Sequence, residues 1–154
     1  MIKSHSLFLY IILLAACSSS KKMTSESSIG VLSYLNYDLK TARTNTIDTN
    51  YYIITNQRDF EDTFKPTRSI DANTPNFAGQ TLVAISTPAN TRLRVIRAAI
   101  AASDLNVYAG RCGINEAGCP ENGLVVSTVP KSLSVKWVNF YIDGSLVKKM
   151  PVSY

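Results

Sequence analysis

The chain contains 154 residues, of which 16 are Lys or Arg and 11 are Asp or Glu, giving a formal net charge of +5. This length suits a single domain with one hydrophobic core, and the basic residues are spread along the chain instead of forming the dense runs typical of nucleic-acid-binding proteins. The only histidine is His5, so residues 6–154 lack the imidazole that serine and cysteine triads, common zinc sites and proton shuttles use. We therefore expect a protein that is not an enzyme and has no metal, no cofactor and no nucleic-acid partner.

Residues 1–16 have the pattern of a secretory signal peptide. An apolar run over 7–16 follows a short polar start and is shorter than the about 20 residues needed to span a bilayer. It ends in Leu14-Ala15-Ala16-Cys17, which resembles the lipobox of bacterial lipoproteins. The resemblance implies removal of residues 1–16, attachment of fatty acids such as palmitate to Cys17, and a place in the bacterial cell envelope. Ser18 stands where some bacteria use Asp to retain lipoproteins in the inner membrane, and the spacer lacks the acidic run that exports them to the surface in others. We therefore expect an outer-membrane lipoprotein that faces the periplasm. An ordinary cleaved signal peptide is the alternative.

The next segment has the composition of a spacer. Residues 17–28 consist mostly of Ser, Lys and Thr, offer little apolar surface to bury, and are expected to form a lipidated flexible tether. Residues 29–154 are then expected to fold as one β-rich globular domain.

Alternating apolar and polar residues, or runs of β-branched and aromatic residues, predict strands along this domain. In chain order, the predicted strands cover residues 31–38, 51–55, 80–87, 91–102, 105–108, 124–129, 133–142 and 145–147. One short helix is expected after the second strand, with Asn56 as its N-cap, Phe60 and Phe64 on one face, and Pro66 at its end. Seven or eight short strands with one helix predict a mainly β fold, either a small β-sandwich or an open barrel.

Two predicted hairpins differ in how clearly the sequence indicates them. Residues 91–102 begin with strand-like alternation but end in an Ala-rich stretch that suits a helix equally well. We favour a strand, because 105–108 then supplies its hairpin partner across Ser103-Asp104. The last hairpin is clearer, since Asp143-Gly144 favours a type I′ turn between two strands.

Two cysteines remain besides Cys17. In an exported protein Cys112 and Cys119 are expected to form a structural disulfide. A redox or metal-binding role is the alternative, but six intervening residues do not match the C-x-x-C spacing of redox dithiols. The loop is rich in glycine, and Ile114 is its one large apolar side chain. It could serve as the inserted element of a hydrolase or protease inhibitor.

The order of elements in most of the domain is similar to that of a known family. The matching features are a strand leading into a short helix over 51–64, Asn76-Phe77 before the strand core at 82–85, and a hairpin over 92–108. These resemble the C-terminal domain of the PrcB family of protease-complex lipoproteins. The resemblance implies a membrane-anchored accessory protein that binds a partner protein, such as a protease, and performs no chemistry itself.

Three side-chain clusters are candidate sites. Arg92, Arg94 and Arg97 form a local basic cluster, in which Arg92 and Arg94 would share a strand face and could contact an acidic partner surface. They could equally line a solvated edge strand. The acidic cluster of Asp59, Glu61 and Asp62 could in principle form a glycosidase carboxylate pair, although acidic residues are favourable at the start of a helix in any case. Tyr51, Trp137 and Tyr141 could stack on a sugar, but aromatic residues more often fill a core.

Overall fold

The computed structural model describes residues 25–41, 48–67, 73–88, 90–113 and 116–154. Within these ranges the chain is mainly β, as the sequence predicts, with eleven strands and one helix. The elements are β1 (Ser27–Ile29), β2 (Leu32–Tyr34), β3 (Tyr37–Leu39), β4 (Asn50–Ile54), α1 (Gln57–Thr63), β5 (Phe64–Pro66), β6 (Gln80–Ser86), β7 (Leu93–Ala101), β8 (Asp104–Arg111), β9 (Leu124–Pro130), β10 (Trp137–Ile142) and β11 (Ser145–Pro151). Residues 1–24, including Cys17 and most of the predicted tether, and Ile114 lie outside the described residues.

Two open sheets pack face to face as a small β-sandwich. The five-stranded sheet has the order β1-β7-β8-β10-β11 and the four-stranded sheet the order β2-β9-β6-β4, while β3 and β5 form a separate ribbon. Strand pairs are antiparallel, except that β8 and β10 run parallel. Val107 and Phe140 of the larger sheet share a core with Val83, Ile85 and Val125 of the smaller one. Of the two predicted architectures, the sandwich is therefore confirmed.

Helix α1 and the β3-β5 ribbon cover the other side of the four-stranded sheet. Tyr37, Phe60 and Phe64 form a second core there with Leu82 and Val126. The Phe60 ring lies 5.1 Å from the Tyr37 ring and 5.6 Å from the Phe64 ring, measured between centroids. Strand β6 is consequently buried on both faces, which explains why residues 82–85 form a continuous apolar run instead of alternating.

Several local predictions are confirmed. Asn56 is the N-cap of α1, because its Oδ1 accepts a hydrogen bond from the Asp59 backbone N–H at 2.9 Å. Asp143 and Gly144 have φ angles of 49° and 82°, the positive values at both positions that define a type I′ turn. Helix α1, however, ends at Thr63, and Phe64 already adopts the extended backbone of β5.

The ambiguous Ala-rich segment is strand β7. It pairs along its length with β8, and Ala98 and Ala99 are completely buried. The turn of this hairpin is Ala102-Ser103, with Ala102 at a φ of 55°, so the predicted turn at Ser103-Asp104 is wrong by one residue.

Two predicted strands have wrong boundaries. The single strand predicted over 31–38 is in fact β2 and β3, which belong to different sheets and are separated by Leu35 and Asn36. The strand predicted over 133–142 begins only at Trp137. Val135 is buried, but its backbone N–H donates to Ser132 O at 3.1 Å, so its apolar side chain fills the core from a turn.

The predicted tether overlaps the first strand. Ser27 and Ser28 lie in β1, whose backbone pairs with residues 98–100 of β7. Their side chains are exposed, and only Ile29 packs against the core. The first strand begins two residues before the expected domain start at Ile29, because an edge strand held by its backbone needs few apolar side chains. Throughout the described ranges, no helix has the length and apolar character required to cross a membrane.

Candidate functional site

The five-stranded sheet turns one face away from the core. Side chains alternate along a strand, and along β8 the buried core residues are Leu105 and Val107. The intervening Asn106 and Tyr108 therefore point to the opposite side, which we call the outer face. It comprises Glu26, Arg94, Ile96, Arg97, Asp104, Asn106, Tyr108, Trp137, Asn139, Tyr141, Leu146 and Lys149.

Aromatic rings and cations lie together on the outer face. The parallel register places Tyr108 beside Tyr141, and their rings stack with centroids 4.8 Å apart and an interplanar angle of 19°. The Arg97 guanidinium carbon lies 3.6 Å from the centroid of the Tyr108 ring. Further along β10, Trp137 is 40% exposed, and Lys149 Nζ lies 5.1 Å from its ring. Each contact is within cation–π distance, so the rings are fixed in orientation while part of their surface stays accessible.

A row of polar side chains crosses the same face. Asn139 Nδ2 donates to Asp104 Oδ2 at 3.0 Å and to Asn106 Oδ1 at 2.9 Å, and Lys149 Nζ donates to Asp104 Oδ2 at 3.1 Å. Asn139 is only 6% exposed, and its Oδ1 atom has no hydrogen-bond partner among the described residues. The hydrogen bond from Asn139 lowers the pKa of Asp104, with burial acting against it and Lys149 reinforcing it.

Glu26 reaches this row from the residue before β1. Its Oε1 accepts hydrogen bonds from Asn106 Nδ2 at 2.7 Å and from the Tyr108 hydroxyl at 2.6 Å, and its Oε2 accepts one from Arg97 Nη1 at 3.1 Å. We call these four residues the Glu26 clasp. The Tyr108 hydrogen bond is the main cause that lowers the pKa of Glu26. The same carboxylate raises the pKa of Arg97, while the pKa of Tyr108 is raised mainly by burial.

An exposed isoleucine lies over a glycine next along β8. Ile96 sits at the irregularity where the pairing register shifts between Val95 and Arg97, and it is 62% exposed. A Cβ atom at Gly110 would lie 2.6 Å from Ile96 Cδ1. The absence of a side chain at Gly110 therefore lets Ile96 lie flat on the sheet.

The predicted arginine cluster is divided. Arg94 and Arg97 point to the outer face from β7, where they pair with Gly110 and Tyr108. Arg92 lies just before the strand, and its carbonyl oxygen accepts a hydrogen bond from the Cys112 backbone N–H at 3.0 Å. Arg94 forms an ion pair with Glu116 at 2.7 Å and Arg97 one with Glu26 at 3.1 Å. Both strand arginines therefore have an acidic partner within the chain.

The predicted disulfide between Cys112 and Cys119 is present, with a Cα–Cα distance of 6.2 Å. Glu116 holds part of this loop against the sheet, because its Oε2 accepts from the Gly113 backbone N–H at 2.9 Å while its Oε1 pairs with Arg94. The two sulfurs and a Glu116 oxygen lie within 4.8 Å of one another. Metals bind cysteine as thiolate, so the bridged form does not offer these sulfurs as ligands.

The acidic cluster lies on helix α1. The acidic residues of α1 have local partners: Asp59 bonds with Asn56, Glu61 accepts from Gln57 at 2.7 Å, and Asp62 lies 3.9 Å from Arg58. They lie on the exposed surface of the helix, where acidic residues near the start of a helix are favourable in any case.

The predicted aromatic platform loses one member. The Tyr51 ring packs 5.1 Å from the Phe140 ring inside the sandwich, and burial raises the pKa of its phenol. Tyr51 therefore packs in the core, as aromatic residues more often do, whereas Trp137 and Tyr141 share the outer face.

The sequence analysis does not predict most of the outer face, although a repeated four-residue pattern indicates part of it. Residues 105–108 and 138–141 both have the pattern apolar-Asn-apolar-Tyr. These two copies are the segments that pair in parallel register and align both asparagines and both tyrosines. Glu26 gave no such signal, because it lies in a stretch with the composition of a spacer.

Two surface depressions are lined by other residues. An apolar one of about 280 Å³ lies beside Val31 and Val129, and a more polar one of about 450 Å³ lies beside Asn36 and Pro120.

Comparisons of the chain with protein-family models, with curated proteins and with solved structures find no match.

Proposed function

We propose that this chain is a bacterial envelope lipoprotein, anchored through Cys17, that acts as a protein-binding accessory module and contacts its partner through the outer face. The observation that carries this proposal is the stacked Tyr108–Tyr141 pair with Arg97 over one ring and exposed Trp137 nearby. Tyr, Trp and Arg are the residues most enriched among those that dominate the binding energy of protein interfaces.

The rigidity of these side chains supports an interface. Tyr108 and Tyr141 are held by stacking on paired strands, so little side-chain entropy remains to be lost when a partner binds. Exposed Ile96 and Leu146 add apolar area beside them. Apolar side chains grouped in this way on a surface are typical of interaction sites.

The resemblance to the PrcB family makes an envelope protease the first partner to test. The disulfide loop is the alternative contact, as expected for an inhibitor of a hydrolase. The ion pair between Glu116 and Arg94 ties this loop to the sheet, which favours a supporting role for it over insertion into a partner's cleft.

Crosslinking in living cells followed by mass spectrometry tests the proposal. The native chain should enrich one dominant protein, and the variant carrying Trp137→Ala and Tyr141→Ala should lose at least about nine-tenths of that enrichment, the loss of roughly 1.4 kcal/mol or more. Leu133→Ala is the matched control, because Leu133 is 76% exposed but lies in the turn before β10. Equal enrichment by the double variant and the native chain would refute the outer face as the contact.

A second candidate function is carbohydrate binding on the same face. Trp137 and Tyr141 flank Asn139 on β10, and Trp137 is 40% exposed. A sugar could stack on these rings, whereas the buried Asn139 Oδ1 is out of its reach. A glycan array distinguishes the two functions: a specific glycan signal that Trp137→Ala removes, together with no captured protein, would favour the sugar.

A further inference from the structure

The first strand is attached to the domain by few contacts. Ser27, Ser28 and Ile29 pair with three residues of β7, both serine side chains are exposed, and only Ile29 packs against the core. Three paired residues make a short strand by any standard. The hydrogen bonds of Glu26, immediately before it, add to these few contacts.

The sheet edge under β1 is longer than β1 itself. Strand β7 has nine residues, and β1 covers only residues 98–100. On the side where β1 lies, residues 93–97 of β7 have no strand partner within the described ranges. Backbone donors and acceptors on such an edge can pair with an added strand.

The clasp has the composition of a carboxylate-binding site. Arg97, Asn106 and Tyr108 each donate one hydrogen bond to Glu26, and together they use both of its carboxylate oxygens. Hydrogen bonds to an ionised carboxylate are stronger than neutral ones. Any chain that ran along β7 and placed an Asp or Glu at this point would meet the same three donors.

The contacts of the present occupant are partly exposed to solvent. The side chains of Glu26 and Arg97 remain 33% and 47% exposed, and exposed ion pairs contribute little to stability. What keeps Glu26 in place is mainly its high effective concentration, because it belongs to the same chain. A partner segment with more backbone pairing along β7 could overcome that advantage.

We propose that the Glu26 clasp and the free edge of β7 form a docking groove for an extended acidic segment of a partner protein, which residues 26–29 occupy in the isolated chain. The partner's segment carries an acidic side chain followed three residues later by an apolar one, as Glu26 and Ile29 do. This inference rests on the proposed protein-binding function and names the kind of segment that is bound.

The test uses the full chain in detergent and a fluorescent peptide with the sequence of residues 25–31. We expect the variant carrying Glu26→Gln and Ile29→Ser, in which the groove is vacated, to bind the peptide at least tenfold more tightly than the native chain. Replacing the peptide's Glu by Gln, or adding Arg97→Ala to the vacated variant, should each weaken binding about two- to fivefold, as expected when a partly exposed ion pair is removed. Equal binding by native and vacated chains, or indifference to the peptide's carboxylate, would overturn the proposal.

Hydrogen exchange on the native chain covers the case in which the vacated variant does not fold. Saturating peptide should reduce the protection of the amides of residues 27–29 while leaving β8 and β10 protected; unchanged protection of 27–29 would also overturn the proposal. A swapped dimer of the vacated variant in sedimentation, with no peptide bound, would assign the groove to a second copy and contradict it. The two experiments separate the two proposals. If the Trp137→Ala and Tyr141→Ala variant loses the captured protein but no chain binds the peptide, only the groove is refuted. If the peptide binds but no protein is captured in cells, only the proposed function is refuted.

Discussion

Tyr108 and Tyr141 stack on two strands that run parallel, with ring centroids 4.8 Å apart. Parallel pairing aligns the repeated apolar-Asn-apolar-Tyr pattern, so the two asparagines also lie side by side and Asn139 bonds to Asn106 at 2.9 Å. The outer face therefore gains its order from register, and each ring orients its neighbour.

The stacked pair should be energetically coupled. In a double-mutant cycle of Tyr108→Ala and Tyr141→Ala, the free energies of unfolding should show a coupling of about 0.5–1.5 kcal/mol, the range measured for aromatic pairs. Urea unfolding at pH 7 gives the four values. Tyr108→Phe serves as the control, because it keeps the ring and removes only the hydroxyl that bonds Glu26. Additive effects of the two alanine substitutions would show that the stacking contributes nothing.

Glu26 should make stability depend on acid pH. Its pKa in the folded state lies below the ordinary value of 4.5, so its contribution is fully present above that value and is lost as pH falls through the lowered folded-state pKa. The native chain should be more stable than Glu26→Gln at pH 7, by no more than about 1 kcal/mol for so exposed a pair, and this difference should shrink below pH 4.5.

Below pH 4.5, the stability difference between the native chain and Glu26→Gln should reflect the protonation of Glu26 alone. Arg97 stays charged and Tyr108 stays protonated, since both have raised pKa values. Asp104, whose own pKa is lowered, titrates in both chains and cancels from the difference. Urea unfolding at pH 7, 5 and 3.5 measures it, and a difference that grows toward low pH would have the wrong sign.

The disulfide should stabilise the domain moderately. Closing the loop from Cys112 to Cys119 lowers the entropy of the unfolded chain, which corresponds to roughly 2–3 kcal/mol for a loop of this size. The variant Cys112→Ser with Cys119→Ser should lose that amount in guanidinium unfolding. Mass spectrometry after thiol alkylation without reductant provides the check, because two labelled thiols in protein from the cell envelope would contradict a bridge in the native setting.

Lipidation at Cys17 is expected from the lipobox resemblance. Cells supplied with an alkyne-bearing fatty acid should label the native chain and retain it in the membrane fraction, since buried acyl chains anchor a protein through their many methylenes. Cys17→Ala should abolish the label. If that variant still carries the label and stays in the membrane, another residue or segment anchors the chain.

The sequence predicts the fold where neighbours along the chain decide the structure. The cap at Asn56, the type I′ turn at Asp143-Gly144 and the mainly β class all follow from local patterns. Strand boundaries fail where tertiary contacts decide. Val135 lies in a turn and not in a strand, and its apolar side chain fills the core from there. Ser27 joins a sheet through its backbone alone.

The candidate site depends still more on long-range pairing. Glu26 is 71 to 82 residues away from its three partners along the chain, and nothing local to it indicates a bond. Asn139 resembles any polar residue of a strand until the parallel register places it beside Asn106. The arginine cluster illustrates the same limit, because its acidic partners Glu26 and Glu116 are distant in sequence.

Site-specific photocrosslinking in living cells shows whether the outer face contacts a protein partner. A photoreactive amino acid in place of Trp137, which is 40% exposed on the outer face, is compared with the same amino acid in place of Leu133, which is 76% exposed outside it. We expect one discrete crosslinked protein from position 137, at least tenfold more abundant than from position 133. Equal or stronger crosslinking from position 133, or no protein crosslinked from position 137, would rule out the outer face as the contact.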